Sequence, residues 1–217
     1  MSKLAVFLTV YNRFENLQQT LRSLHNQLNK DFDLFIINNS DRDIESLVNI
    51  ECEIINMRNE YNIYGRFFAV RDVLWRGYEI IAFIDDDIII PPTYIKLCHM
   101  HYEPQYVKSF WAFEVATDYW VRKKLHGAKN GHYAGAGGLL APAEFFKTPE
   151  LYECPPTYWI MDDIWMSHVI LAYTDYKIRY FPVPVRFLDD DKATYKKIRQ
   201  QKSDMAKKYL IPFINYE

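Results

Sequence analysis

Short apolar runs alternate with helix-patterned segments through the first half of the chain. Four apolar runs have the length and the β-branched content of buried strands, at residues 4–10, 33–37, 53–55 and 80–84. Between them, residues 14–28 carry leucines at helical spacing, and residues 64–77 have apolar side chains on one face. The alternation predicts a mostly parallel sheet with helices on both faces.

The second half of the chain has a less regular pattern. Strands are predicted at 110–116, 139–140 and 176–181. A glycine-rich segment lies at 135–138, and a helix is predicted at 163–173. Residues 189–208 mix aspartates with many Lys and Arg, which predicts a solvated loop and helix. The 217 residues contain no segment that looks like a linker, so we expect one domain.

Composition excludes several classes of partner and location. A net charge of -2 predicts no basic surface for nucleic acid. The three cysteines, Cys52, Cys98 and Cys154, follow no disulfide or zinc pattern, which favours a reducing compartment. No segment approaches the length of a membrane span, so we expect a cytoplasmic, soluble protein. The 17 Tyr, 14 Phe and 5 Trp suit stacking on sugars or bases, or an aromatic core.

Three consecutive carboxylates, Asp85, Asp86 and Asp87, separate two apolar runs at the end of the fourth predicted strand. Ligands bind open α/β sheets at the carboxyl ends of the strands, so these side chains lie where a site is expected. Oxygen ligands at this spacing suit Mn²⁺ or Mg²⁺. The alternative is an ordinary acidic turn that caps a helix beginning at Pro92.

Six segments, in this order, resemble the GT-A glycosyltransferases, particularly the family 2-like inverting enzymes. The segments are FLTVYNR, INNS, YGRFFAVRD, IDDDIIIPP, GAGGLLAP and MDDIWMS, and the resemblance as a whole covers roughly residues 4–170. The resemblance implies a single α/β domain of GT-A fold, with a mostly parallel mixed sheet flanked by helices. Residues 1–91 would form the half that binds a nucleotide-sugar. Residues 92–217 would form the acceptor-binding half and the C-terminal tail.

The resemblance also implies the residues of the donor site. Thr9 and Tyr11 would lie beside the nucleotide base, unless Tyr11 is a simple loop aromatic. Asn38 stands where family members commonly have an aspartate that reads uracil, and an amide can also present a donor and an acceptor. Arg66 matches an arginine near the base or the diphosphate.

The acidic triplet would hold the metal in this family. Asp87 is expected to be the direct ligand, with Asp85 near the ribose or a metal-bound water and Asp86 facing the sugar or ribose hydroxyls. The metal would bridge the two phosphates and neutralise the leaving diphosphate. Asp189, Asp190 or Asp191 would supply a further ligand, although a mobile charged loop is the alternative interpretation of that segment.

A second acidic pair, Asp162 and Asp163, resembles the pair that precedes a helix in this family, which implies that both are catalytic residues. Asp163 is predicted to remove the proton from the acceptor hydroxyl, and a helix N-cap is the alternative role. The glycines Gly135, Gly137 and Gly138 would let the backbone approach the sugar.

Trp159 and Trp165 are expected to bind the acceptor, because their rings could stack on a sugar. For at least one of these two tryptophans, a position in the core is the alternative.

The implied function is metal-dependent transfer of a sugar from a UDP-sugar to a hydroxyl of a glycan or other acceptor, with inversion. The same fold also supports retaining chemistry. A nucleotidyltransferase is disfavoured because the N-terminal loop lacks a glycine- and lysine-rich phosphate signature. A non-catalytic carbohydrate- or nucleotide-binding domain is the other alternative. The short aromatic-rich chain also resembles the compact glycosyltransferase domains of large algal viruses, which would place it in the host cytoplasm.

Overall fold

A computed structural model describes residues 3–188 and 198–214 of the chain. Within them, the strands are β1 (Leu4–Val10), β2 (Asp33–Asn38), β3 (Glu53–Asn56), β4 (Ile80–Asp85), β5 (Ile88–Ile89), β6 (Tyr106–Ser109), β7 (Ala112–Val115), β8 (Arg122–Lys124), β9 (Asn130–Gly131), β10 (Tyr133–Ala134), β11 (Leu139–Pro142), β12 (Lys177–Tyr180) and β13 (Arg186–Phe187). The helices are α1 (Phe14–His25), α2 (Gly65–Val73), α3 (Tyr94–His101), α4 (Asp162–Tyr173) and α5 (Arg199–Tyr209).

Eight of these strands form one mixed sheet in the order β3-β2-β1-β4-β11-β6-β12-β9. The pairs β3-β2, β2-β1, β1-β4 and β6-β12 are parallel, whereas β4-β11, β11-β6 and β12-β9 are antiparallel. Two small sheets, β10-β7-β8 and β13-β5, lie beside it. The predicted α/β class with a mostly parallel mixed sheet is confirmed.

Helices cover both faces of the large sheet, which explains why β1 is apolar at every position except Thr9. Ala5 and Phe7 belong to the core shared with α2, α4 and α5, while Val6 and Leu8 belong to the core shared with α1 and α3. Side chains alternate between the faces of a strand, so a strand covered on both faces is mostly apolar. All seven residues of β1 are buried.

Three predicted elements have different ends in the structure. Helix α1 ends at His25, and Leu28, predicted as its last apolar position, is 78% exposed. Helix α2 continues as one 3₁₀ turn and stops at Gly77, whose φ of 75° is readily adopted only by glycine. The strand predicted at 110–116 is shorter in the structure, where β7 covers Ala112–Val115 and joins a small sheet. The strand β6, which joins the large sheet just before it, was not predicted.

Replacement of Phe83 tests the packing of the core. Phe83 is fully buried in β4, with its ring 5.7 Å from the rings of Phe7 and Phe146. Phe83→Ala should lower the free energy of unfolding by about 3–5 kcal/mol, since the deletion leaves a cavity. Urea denaturation measures the change. The control Trp75→Ala, at a side chain that is 80% exposed, should change it by less than about 0.5 kcal/mol.

Candidate active site

The carboxyl ends of β1, β2 and β4 meet at one edge of the sheet because these strands are parallel neighbours. In their register, Thr9 lies opposite Asp85, and Val10 lies opposite Asn38. The loops that follow the strands therefore bring Tyr11 and the acidic triplet together. This edge is where open α/β sheets bind ligands.

Asp86 is the buried member of the acidic triplet, at 3% exposure. Its carboxylate accepts a hydrogen bond from the Tyr11 backbone N–H at 3.1 Å and another from the Arg13 guanidinium at 3.1 Å. Its backbone carbonyl accepts a hydrogen bond from the Thr20 hydroxyl at 3.0 Å. Burial raises the pKa of Asp86 to about 6, although Arg13 and the Tyr11 N–H oppose the shift. Asp86 thus holds the loop after β1 against the end of β4. Its carboxylate does not face the open edge of the sheet, although it was predicted to face the sugar or ribose hydroxyls there.

Asp85 and Asp87 are the more exposed members, with 30% and 21% of their side chains accessible. Asp87 Oδ2 lies 3.2 Å from the Arg13 guanidinium. Burial and the charge of Asp85 raise the pKa of Asp87 to about 7. The two carboxylates therefore repel each other at neutral pH, and a cation bound between them would relieve this repulsion.

The chemistry of this pair fits Mn²⁺ or Mg²⁺. Both ions prefer carboxylate oxygens, and Mg²⁺ keeps several positions for water and substrate phosphates. Among residues 3–188 and 198–214, no three His, Cys, Asp or Glu side chains form a metal-binding group. A metal held by Asp85 and Asp87 would keep positions for water and for phosphate oxygens. The predicted ligands Asp189, Asp190 and Asp191 lie outside the described residues.

Arg66 connects the acidic triplet to the second acidic pair. Its guanidinium is buried at 1% exposure, with Nη1 3.3 Å from Asp85 Oδ1 and Nε 3.1 Å from Asp162 Oδ2. The Nε–H bond itself points at the Ile63 carbonyl at 3.3 Å, so the contact with Asp162 is an ion pair. Burial opposes the charge of Arg66, but Asp162 and Asp85 outweigh it and raise its pKa. Burial raises the pKa of Asp162 to about 6 against the attraction of Arg66.

Asp163, the second residue of α4, has a separate set of partners. Oδ2 accepts hydrogen bonds from the Tyr133 hydroxyl and from Lys202 Nζ, the latter at 3.1 Å, and Oδ1 accepts one from the Ile164 N–H at 2.8 Å. Burial raises the pKa of Asp163, but Lys202, Tyr133 and the Ile164 N–H lower it more, so its pKa lies below the usual value. The carboxylate is ionised at neutral pH.

The glycine segment lies against the acidic triplet because β11 is antiparallel to β4. A Cβ placed on Gly137 would be 1.9 Å from Asp85 Oδ2, and one on Gly138 would overlap the Phe110 ring at 2.1 Å. Only glycine lets the backbone pass this close. The Asp85 carboxylate fills the space beside Gly137, and the approach of this backbone to a sugar stays a prediction.

Sequence comparison identifies the family. The model of the family described as "Glycosyl transferase family 2" matches residues 5–132, which is more than half of the chain. The chain belongs to glycosyl transferase family 2. The match to this family includes the acidic triplet and Arg66, and it ends before Asp162, Asp163 and Lys202. Among curated proteins, none matches the chain significantly.

The fold of this family 2 chain is similar to that of S. aureus TarS. The structure of TarS 1-349 has 13% sequence identity and a TM-score of 0.55, and the match covers 91% of this chain and 64% of that one. TarS 1-349 in complex with UDP gives the same identity and TM-score, with 91% and 63% covered. A longer TarS structure has 12% identity and a TM-score of 0.52, with 91% and 38% covered. At these identities the similarity shows the fold, which is GT-A.

The predicted base contacts of this family 2 chain differ in accessibility. Tyr11 is 48% exposed at the edge of the sheet, whereas Thr9 is 7% exposed, with a buried hydroxyl that has no hydrogen-bond partner among the described residues. Asn38 is 2% exposed. Its amide donates to Asn56 Oδ1 and the Arg42 carbonyl, both at 2.9 Å, and accepts from the Ser40 N–H and hydroxyl. Asn38 thus shapes the loop after β2, and of the three side chains only Tyr11 is available for stacking.

The two tryptophans predicted to bind an acceptor lie in different environments. Trp165 is 6% exposed, donates its indole N–H to the Glu150 carbonyl at 3.1 Å and packs against Tyr209. The core role suggested for at least one tryptophan therefore applies to Trp165, and its ring has no exposed face for a sugar. Trp159 is half-buried and stacks on Tyr64 with ring centroids 6.0 Å apart.

Three residues of the site were not predicted as site residues. Arg13 is the last residue of the quoted segment FLTVYNR and pairs with both Asp86 and Asp87. Tyr133 and Lys202 bind Asp163. The prediction of a solvated segment at 189–208 is wrong for Lys202, which is 6% exposed. Arg13 could have been found from its place in the quoted segment, whereas Lys202 is separated from its partner by 39 residues.

Loss of Arg66 should destabilise the protein strongly. Arg66→Met leaves two carboxylates near a buried apolar side chain, which typically costs about 3–5 kcal/mol of unfolding free energy. The loss of stability should become smaller between about pH 8 and about pH 5, because burial raises the pKa of Asp162 and protonation of this residue removes an unpaired charge. Denaturant unfolding at several pH values measures it. Arg71→Met is the control on the same helix: Arg71 is half-exposed, its contact with Asp72 is 3.7 Å long, and its replacement should cost less than about 1 kcal/mol.

Gly137→Ala should disturb Asp85 without unfolding the chain. The new methyl group would overlap the carboxylate, and we expect a loss of about 1–3 kcal/mol in stability together with displacement of Asp85. Gly65→Ala is the control, because a Cβ there has no neighbour closer than 3.6 Å. Thermal unfolding and a crystal structure of the variant would check this. An unmoved Asp85 with wild-type stability would contradict the packing described above.

Proposed function

We propose that this chain is a metal-dependent glycosyltransferase that moves a sugar from a UDP-sugar to a hydroxyl of a glycan or other acceptor, with inversion. One observation carries the proposal. The acidic triplet on β4 and the acidic pair on α4 lie at one edge of the sheet and share the buried Arg66. A donor-binding group and a proton acceptor are thereby adjacent, as a transfer reaction requires.

Donor binding is assigned to the loops after β1 and β4. The exposed Tyr11 ring would stack on the base, and the diphosphate would lie near Asp85, Asp87 and Arg13. The similarity in fold to TarS, which has been crystallised with UDP, supports uridine as the base. Hydrogen bonds within the chain occupy the Asn38 side chain, so its role is to shape the loop beside the base.

Asp85 and Asp87 would hold Mn²⁺ or Mg²⁺. When bound, the ion neutralises the phosphate oxygens of the leaving UDP. Arg13 lies 3.2 Å from Asp87 Oδ2, and its charge adds to the positive potential around the diphosphate. Asp86 contributes indirectly, because its hydrogen bonds hold Tyr11 and Arg13 in place.

Asp163 is assigned the role of proton acceptor. A carboxylate has about four lone-pair sites, and Tyr133, Lys202 and the Ile164 N–H use three of them. The fourth can accept the hydroxyl hydrogen of the acceptor. The acceptor oxygen attacks the anomeric carbon from the face opposite the diphosphate, the bond from that carbon to the phosphate oxygen breaks, UDP leaves with the electron pair, and Asp163 takes the proton. Asp162 holds Arg66 and stays out of the transfer.

The acceptor is expected to approach from the side of α4. Trp159, half-buried and stacked on Tyr64, is the predicted tryptophan that keeps an accessible surface there. Trp165 is assigned to the core. Among the described residues, no helix combines the length and the apolar composition that a membrane span requires.

Replacement of Asp87 tests the donor site. Asp87→Asn should weaken binding of UDP in the presence of Mn²⁺ by at least about 10-fold, because a charged metal ligand is lost. Calorimetric titration with UDP and Mn²⁺, repeated with EDTA, measures the effect. Asp72→Asn, at a side chain that is 64% exposed, is the control and should bind as the wild type does. Metal-independent binding of UDP, unchanged in Asp87→Asn, would contradict the metal site.

Replacement of Asp163 separates catalysis from binding. Asp163→Asn cannot accept a proton, so release of UDP from a UDP-sugar should slow by about 100- to 10,000-fold. The affinity for UDP should stay at the wild-type value, since Asp163 lies outside the donor loops. UDP release from UDP-glucose, UDP-galactose and UDP-N-acetylglucosamine is the assay. Wild-type turnover by Asp163→Asn would remove this residue from the mechanism.

A further inference from the structure

We propose that Lys202 is a positioning residue for Asp163, so that the C-terminal helix α5 forms part of the active site. The inference rests on the proposed function, in which Asp163 accepts the proton. Its own basis is geometric: Lys202 is 6% exposed, and its Nζ lies 3.1 Å from Asp163 Oδ2. The family match ends at residue 132, so the contact lies outside the region that defines the family.

The ammonium group of Lys202 lies in a small polar cluster. Nζ donates to the Tyr119 hydroxyl at 3.3 Å as well as to Asp163, and the Tyr119 hydroxyl donates to the Tyr133 hydroxyl at 3.1 Å. Tyr133 in turn donates to Asp163 Oδ2. Tyr133 and Lys202 thus bind one carboxylate oxygen, Tyr119 links these two side chains, and the Ile164 N–H binds the other oxygen. This arrangement leaves the carboxylate a single orientation.

Helix α5 is itself held firmly where it delivers Lys202. The Trp120 indole N–H donates to the Arg199 carbonyl at 3.2 Å, and the Ser203 hydroxyl donates to Asp118 at 3.0 Å. At the other end of the helix, the Tyr209 ring packs 5.3 Å from the ring of Trp165 on α4. The helix is therefore fixed both to the segment that contains Tyr119 and to the helix that carries Asp163.

Each of the neighbouring carboxylates Asp162 and Asp163 pairs with a different cation. Asp162 pairs with Arg66, and Asp163 pairs with Lys202. A further cation, Arg122, lies over the rings of Tyr119 and Tyr133 at 4.2 and 5.3 Å. A buried ion pair adds little stability compared with apolar residues of similar size, so a lysine buried here is better explained by the orientation and charge that it imposes on Asp163.

The charge of Lys202 also determines when Asp163 can accept a proton. Together with Tyr133 and the Ile164 N–H, it lowers the pKa of Asp163 against the opposing effect of burial. Loss of the ammonium group would leave Arg66, Arg122 and Asp162 as the nearby charges and raise the pKa of Asp163. As the pH falls, the activity that needs ionised Asp163 would then be lost at a higher pH than in the wild type.

The test measures UDP release against pH for Lys202→Met, Lys202→Gln and Lys202→Arg. The assay uses whichever of UDP-glucose, UDP-galactose and UDP-N-acetylglucosamine the wild type turns over. The two neutral variants should lose about 100-fold in kcat with an unchanged KM for the donor, because Asp163 is misplaced. Their acid limb should move up by about one to three pH units. Lys202→Arg keeps the cation and should keep the wild-type acid limb.

The control is Lys207→Met on the same helix, at a side chain that is 56% exposed and pairs with Asp118. It should leave kcat and the pH profile unchanged. Circular dichroism and calorimetric titration with UDP identify any variant that has lost its fold. If Lys202→Met does not fold, Lys202→Gln and Lys202→Arg test whether Lys202 positions Asp163.

Two results would overturn the inference and leave the proposed function intact. One is a wild-type kcat and acid limb in folded Lys202→Met or Lys202→Gln, while Asp163→Asn is inactive. The other is an equal loss of kcat in the neutral variants and in Lys202→Arg with no movement of the acid limb, which is the result of a purely structural role. A wild-type chain that neither binds UDP nor releases it from the three donors contradicts the proposed function and the inference with it.

Discussion

The buried guanidinium of Arg66 is the interaction on which the site depends. It joins Asp85 at the end of β4 to Asp162 at the start of α4, and 19 and 96 residues of sequence separate it from these partners. A buried charge costs several kcal/mol in lost hydration, which only close partners can offset. The two carboxylates that contact Arg66 offset its lost hydration. The arrangement also holds the two halves of the chain in one relative position.

The topology of the sheet explains why the acidic groups meet at this edge. Strands β1 and β4 are parallel, so their carboxyl ends bring Tyr11 and Asp85 together. Strand β11 is antiparallel to β4, so the glycines before it reach the same edge. Helix α4 then starts beside them with Asp162 and Asp163. Parallel strands supply the loops of the proposed donor site, and one antiparallel strand brings the second half of the chain back to them.

Much of this arrangement was predictable because its signals are local. The strand β1 was predicted with its observed limits, since an apolar run ends abruptly in polar residues. The acidic triplet was evident because three charges between apolar runs require a partner. Contacts across the fold were not predictable: the bonds that occupy Asn38 come from Asn56 and Arg42, and a sequence pattern does not show which polar groups meet. Lys202 is the clearest case, because a lysine in a charged segment is usually solvated.

A crystal structure of the chain grown with UDP and Mn²⁺ is the most direct test of the central claim, that the two acidic motifs form one active site. We expect the uracil ring beside Tyr11, the diphosphate and the metal at Asp85 and Asp87, and Asp163 facing the open side of the diphosphate. UDP bound away from this edge, or bound here with the metal held by other residues, would contradict it.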